Sequence, residues 1–262
     1  MLFRRGLILA TCLLATACAD SGKFPYPPQF VSDDNINVAT VLSAPPTADS
    51  KKFKGEVKQI IAAQKKLSAK EKAILVQEDH ITPSMIVLPV LGAQYTEDKY
   101  PALYTLLRHA GSDAWRLSDA TEDFWNSPRP WSADSKVVPL VKQIDRPGYP
   151  SGHTTTNAVW AHILSDLFPK KKAALFARAK QIGNHRVEAG AHFPHDVEGG
   201  LKLAAAIATE LKKSDAYKAE FAAAKAELAS PKASAAMPAM SGCEVHAMQS
   251  GATTNAVHAG CH

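Results

Sequence analysis

Three short blocks of this sequence carry side chains suited to holding a tetrahedral oxyanion and attacking it. They are Arg129-Pro130, then Pro150-Ser151-Gly152-His153, then a run in which five residues separate Arg186 from His192 and three separate His192 from Asp196. Each arginine offers a planar fork of donors to oxyanion oxygens, a match that lysine makes less specifically. Ser151, Gly152 and His153 stand just ahead of a helical pattern that begins near Thr154. The first N–H groups and the positive end of that helix would face a bound anion, and Gly152 lets the backbone approach it closely. His192 and Asp196 are four apart, with Pro194 where a first-turn proline is tolerated. Asp196 can then accept from one ring nitrogen of His192 and leave the other as an unprotonated nucleophile. A protonated His153 would donate to the departing alkoxide. Positioning and charge neutralisation suffice for such chemistry, so neither metal nor cofactor is expected.

The elements that must position these groups read as helices. Val57, Ile60 and Ile61 recur at helical spacing with lysines on the other face, and Ala69 to His80 reads as a further helix. Pro101 opens another, followed by Leu103, Leu106, Leu107 and Ala110, and the pattern continues through Asp113 to Asn126 until Ser127-Pro128-Arg129-Pro130 breaks it. Helices are then expected over Thr154 to Phe168, Lys170 to about Val187, Pro194 to Lys213 and Ala216 to Ala229. Alternating patterns are scarce. The fold class is all-α, a single helical domain.

With 262 residues, 46% of them apolar, the chain suffices for one ordinary core and a tail. Arg4 and Arg5, the apolar run Leu7 to Leu14 and small residues to Ala19 read as an export signal over residues 1–19, too short to span a membrane. Two processing outcomes fit: cleavage after Ala17 or Ala19, or lipidation of Cys18, since Leu14-Ala15-Thr16-Ala17-Cys18 resembles a bacterial lipobox. The expected location is periplasmic or exported, with an anchor if Cys18 carries lipid. Loss of the signal lowers the formal charge from +5 to +3, and no basic run stands beside aromatics, so nucleic acid is not an expected partner. The longest later apolar run, Met85 to Ala93, is broken by Pro89 and Gly92. Residues 20–50 read as an irregular leader, 51–230 as the helical domain and 231–262 as a flexible tail. In that tail Cys243-x2-His246 mirrors His258-x2-Cys261, which fits either a disulfide between Cys243 and Cys261 or a Cys2His2 metal site.

The three blocks in this order resemble the type 2 phosphatidic acid phosphatase superfamily, which includes bacterial class A acid phosphatases, lipid phosphatases and vanadium haloperoxidases. The resemblance covers roughly Leu103 to Leu203; the 19 residues between Pro130 and Pro150 and the 32 between His153 and Arg186 fit the family's spacing. It implies a histidine-nucleophile acid phosphatase: His192 phosphorylated transiently, Asp196 its orienter, His153 general acid and then base. Arg129, Ser151, Gly152 and Arg186 would hold the phosphoryl group of a small phosphomonoester.

Two positions depart from the family pattern. Where a lysine usually stands seven residues before the first arginine, this chain has Glu122, and Arg116, Lys136 and Lys142 are candidates to supply the missing cation. His185 replaces a serine before Arg186, so an imidazole is expected in place of a hydroxyl contact. Each block alone has a plainer reading: a turn before a helix, a helix-start histidine, a first-turn acid, solvated arginines. His185, Glu188, His192, His195 and Asp196 also form a metallohydrolase-like cluster, which would leave the arginines without a purpose. The alternatives to the phosphatase are a vanadium-dependent haloperoxidase and a catalytically weakened phosphate-binding periplasmic protein.

Overall fold

Asp113 lies inside the longest helix among the described residues, yet its carboxylate serves a distant part of the chain. It accepts the backbone N–H groups of Gln29, Phe30 and Val31 at 2.7–3.0 Å. The computed structural model describes residues 27–230; Cys18, the export signal and the Cys243, His246, His258 and Cys261 tail lie outside the described residues. Helices and turns make up the described residues, with no strand among them. In chain order the helices are α1 (Val38–Val41), α2 (Lys51–Gln64), α3 (Ala69–Gln77), α4 (Ser84–Leu91) and α5 (Pro101–Trp125). The others are α6 (Pro130–Ala133), α7 (Gly152–Leu167), α8 (Lys172–Glu188), α9 (Pro194–Leu211) and α10 (Asp215–Leu228). No helix among them is long and apolar enough to cross a membrane.

The core forms around α7, which packs mainly on α5, α8 and α9. Its buried set includes Ala158, Val159, Trp160, Ile163 and Leu164, and also the polar Thr154, Thr155, Thr156 and Asn157. On α5 the expected stripe of Leu103, Leu106, Leu107 and Ala110 is buried and extends to Ala114 and Leu117. Asn126, left-handed at φ 47°, ends α5 ahead of the Ser-Pro-Arg-Pro break. The carboxylate of Glu227, on α10, receives the first N–H groups of α5 from Ala102 and Leu103, both at 3.0 Å. A smaller core joins Phe53, Val57 and Ile60 of α2 to Val187, Phe193 and Val197, behind the start of α9.

Some boundaries move. α3 stops at Gln77 rather than His80, and α8 starts at Lys172 because Pro169 opens a separate 3-10 turn over Pro169–Lys171. The run broken by Pro89 and Gly92 is nonetheless a helix, α4. Proline lacks the N–H that would reach the carbonyl of Met85, and Arg178 Nε supplies a replacement donor at 3.0 Å. The leader is irregular over most of its described length, but Val31, Ile36 and Leu42 sit in the main core.

Removing the Asp113 carboxylate leaves three backbone donors without their acceptor, two of them on residues packed into the core. Asp113→Ala is expected to lower unfolding free energy by about 3 kcal/mol, from losses of roughly 1–3 kcal/mol per orphaned buried group. Urea denaturation measures it; a shift below about 0.5 kcal/mol, the usual range for surface changes, would mean the leader is dispensable.

Candidate active site

α8 ends at Glu188, and Gly190 at φ 73° turns the chain back so that the carbonyl of Arg186 accepts N–H groups from both Ala191 and His192. The turn keeps the second arginine and His192 at one end of the bundle. The first turn of α9 fixes the imidazole: Asp196 Oδ2 accepts the Phe193 N–H at 2.8 Å and lies 3.2 Å from His192 Nδ1. The Asp196 carbonyl accepts the Ser151 N–H at 3.0 Å, tying the start of α9 to that of α7. Ser151 is the N-cap of α7, its hydroxyl accepting from Thr154 N at 3.3 Å and Thr154 Oγ1 at 3.0 Å.

A cavity of about 260 Å³ opens at this joint, lined by Arg129, Gly152, His153, Arg186 and His192 together with Glu122. Ser151 and Asp196 do not line it. The first caps the helix and the second stands behind His192, so the Ser151 hydroxyl is turned to α7 rather than to the cavity.

The tautomer of His192 follows from its neighbours. Nδ1 donates, with the Gly148 carbonyl at 2.9 Å as its nearer acceptor, while Arg129 Nη1 donates to Nε2 at 2.8 Å. Nε2 therefore carries the lone pair and faces a guanidinium. Burial, then Arg129, Arg186 and His153, hold the His192 pKa well below that of an ordinary imidazole. Burial, then Arg186, likewise lowers His153, whose Nε2 donates to the Asp79 carbonyl at 3.1 Å. Burial raises Asp196 well above the ordinary carboxyl range.

Both arginines are buried, and both already have a carboxylate. Arg129 Nη2 is 3.3 Å from each oxygen of Glu122, and Arg186 Nη2 is 2.8 Å from Asp79 Oδ1. Arg186 Nε and Nη1 are buried with no hydrogen-bond partner among the described residues. Two donors on one buried cation are thus unsatisfied beside the cavity, an arrangement that invites an oxyanion.

The two departures resolve differently from expectation. Glu122 faces into the site, against Arg129, and its pKa is raised from 4.5 to about 8. Burial is the cause; Arg129 and Arg146 oppose it, and Asp119 and Asp123 add to it. Of the three candidate cations Lys142 lines the cavity, whereas Arg116 pairs with Asp33 and Asp113, and Lys136 lines a separate hollow beside α2. The expectation that the His185 imidazole replaces a hydroxyl in the site is corrected. His185 Nδ1 faces Glu78 at 2.7 Å, a carboxylate that Arg178 also holds at 2.6 Å, and His185 does not line the cavity.

His195 is directed to Glu56 on α2, and among the described residues no group of His, Cys, Asp and Glu is disposed to hold a metal ion. Asp79 was not singled out from the sequence. It precedes Arg186 by 107 residues at the end of an ordinary helix, and no local signal marks it.

The PAP2 superfamily pattern matches residues 105–219, which contain all three blocks. The chain is 32% identical over 110 residues to an acid phosphatase of Zymomonas mobilis, covering 40% of this chain and 41% of that protein. It is 26% identical over 142 residues to the non-specific acid phosphatase of Salmonella typhimurium, covering 52% and 57%. The chain thus spans about two fifths to three fifths of the length of these relatives. A bacterial vanadium-dependent iodoperoxidase shares the fold, with a TM-score of 0.52 and 20% identity over 67% of this chain and 53% of that one.

Glu122 is neutral in the folded protein over a pH range where the unfolded chain ionises it. On its account stability is full below pH 4.5 and falls as pH rises towards 8. Wild type should therefore lose stability relative to Glu122→Gln between pH 5 and pH 8.5 in urea titrations. A gap that moves the other way would show an ionised Glu122 stabilised by Arg129.

Proposed function

We propose, from the match of residues 105–219 to the PAP2 superfamily, that the chain is an exported, metal-independent acid phosphatase hydrolysing phosphomonoesters through a phosphohistidine. The observation that carries this reading is the pair of unpartnered donors on buried Arg186, beside the His192 imidazole, which lines the same cavity and whose Nε2 lone pair is held by Arg129. Arg186 and Arg129 would take phosphoryl oxygens bidentately, helped by the Gly152 and His153 N–H groups at the positive end of α7. To do so Arg129 must release His192 Nε2, which frees the nucleophile as the substrate binds.

His192 Nε2 then attacks phosphorus, the bond to the ester oxygen breaks, and His153 passes its Nε2 proton to the departing alkoxide. Asp196 and the Gly148 carbonyl hold the Nδ1 proton as the ring becomes cationic. In the second step water attacks the phosphohistidine, its proton passes to His153, and phosphate leaves with His192 regenerated. Phosphoryl transfer of this kind needs positioning and charge, which the two guanidiniums supply.

The vanadium haloperoxidase reading needs long retention of an oxyanion. Glu122 weighs against it where its carboxyl ionises, above about pH 8, since the carboxylate then holds one face of Arg129. A weakened phosphate-binding protein would bind phosphate and turn nothing over. Acid phosphatase relatives favour the hydrolase, and the signal-like residues 1–19 favour export.

Hydrolysis of an aryl phosphate should fall at least about a thousandfold in His192→Ala, as for loss of other catalytic nucleophiles, and should be unaffected by a chelator. Activity that survives the substitution, or disappears with the chelator, overturns the proposal.

His153 must be charged to act as an acid, and in the empty cavity burial and Arg186 oppose that. A bound phosphate adds negative charge beside it and raises its pKa. Ring NMR titration should place His153 higher with phosphate than without, and the basic limb of kcat should lie above that of kcat/KM. An unchanged or lowered His153 pKa would remove it from the role of acid.

A further inference from the structure

A second cavity, of about 590 Å³, lies beside the first, and Trp115 lines both. The Trp115 ring meets that of His153 edge-on, 5.5 Å between centroids. His153, Thr156 and Trp160 are three and four residues apart on α7 and so share one face of it. The first of them lines the smaller cavity and the other two line the larger. Across from them α5 contributes Ser112 and Trp115 at the same helical interval, and the segment from Ile81 to Ser84, just after Asp79, forms a third wall.

Two aromatic groups of this cavity, Trp160 and Tyr104, have already used their polar atoms. Trp160 Nε1 donates to the Leu107 carbonyl at 2.6 Å, and the Tyr104 hydroxyl donates to the Tyr95 carbonyl at 2.9 Å. Gly111 permits the close approach of α5 to the Trp160 indole, since a Cβ there would lie 2.8 Å from its Cζ2. What these rings offer a ligand is hydrocarbon. One polar atom is different: Thr156, 2% exposed, has an Oγ1 with no partner among the described residues.

We propose that this cavity holds the alcohol portion of the ester and selects an aromatic alcohol, with Thr156 bonding a polar substituent on its ring. The inference rests on the phosphatase reading. If His192 attacks in line and His153 protonates the departing oxygen, the leaving group lies on the His153 side of phosphorus. From there the face of α7 runs to Thr156 and Trp160. Two indoles and a phenol favour a flat aromatic body through offset or edge contacts, and burying such a ring removes apolar surface that a short alkyl group lacks.

The test compares 1-naphthyl phosphate with ethyl phosphate, and measures 1-naphthol binding by tryptophan fluorescence. Wild type should bind naphthol and prefer the naphthyl ester. Thr82→Phe, which fills the cavity from its loop wall, should weaken naphthol binding and lower kcat/KM for the naphthyl ester at least tenfold more than for the ethyl ester. Ser112→Leu, from the opposite wall, should do the same. Absence of naphthol binding, or equal loss for the two esters in both variants, overturns the proposal. Naphthol binding that is lost in the variants supports the cavity even where neither ester is turned over, an outcome that sinks the phosphatase reading alone.

Discussion

One buried carboxyl group joins the working parts of this protein. Asp196 holds the Phe193 N–H and the His192 ring with its side chain, and the Ser151 N–H with its carbonyl. The start of α9, the imidazole and the start of α7 are therefore fixed to one residue. Burial of that carboxyl is costly by itself, and the surrounding structure makes it tolerable. Phe193 and Val197 pack with α2, the His195 ring lies flat on Phe193 at 5.1 Å, and Glu56 of α2 holds His195 from outside. Ordering that small core and placing His192 are one event.

The arginines present the opposite balance. Each is nearly dehydrated, and among the described residues each pairs directly with one carboxyl group: Glu122 for Arg129 and Asp79 for Arg186. A buried guanidinium with unsatisfied N–H groups loses several kcal/mol of hydration that such pairing recovers only in part. The deficit is concentrated where an anion would bind, and an arriving phosphate would replace partial ion pairs with bidentate ones. Asp79 is the local competitor. Its carboxylate engages Arg186 and its carbonyl engages His153, and Glu78 beside it is pinned to α8 by Arg178 and His185. The His185 imidazole thus anchors the segment of chain that covers the site.

What was legible in the sequence was local. The helical class followed from periodic apolar residues such as Leu103, Leu106, Leu107 and Ala110, because that period directly sets which face is buried. The three blocks were legible because their residue types belong to one chemistry, and the fold lines one cavity with Arg129, Gly152, His153, Arg186 and His192. Long-range replacements were not legible. Pro89 read as a breaker because nothing nearby announces that Arg178 satisfies the Met85 carbonyl. The leader reads only as irregular because the acceptor of its N–H groups, Asp113, lies more than 80 residues away. Ser151 holds a phosphate-binding position only by resemblance, and its hydroxyl accepts from Thr154 of α7.

Glu122 need not oppose an oxyanion over the whole pH range. An ionised carboxylate there would repel phosphate and tie up Arg129. With its pKa raised to about 8, Glu122 is mostly protonated at neutral and acidic pH. A neutral carboxyl carries a proton that can be donated, so it could share an oxyanion oxygen in place of the lysine that the family resemblance leads one to expect. In the proposed phosphatase, proton uptake at Glu122 and at His153 would act in the same direction, one improving capture of the phosphoryl group and the other its release from the alcohol. Around Glu122 the charges divide evenly, with Asp119 and Asp123 on its own helix favouring the neutral form and Arg129 and Arg146 opposing it. Burial decides the outcome, which makes anion capture at this site a function of how dry α5 keeps its last turns.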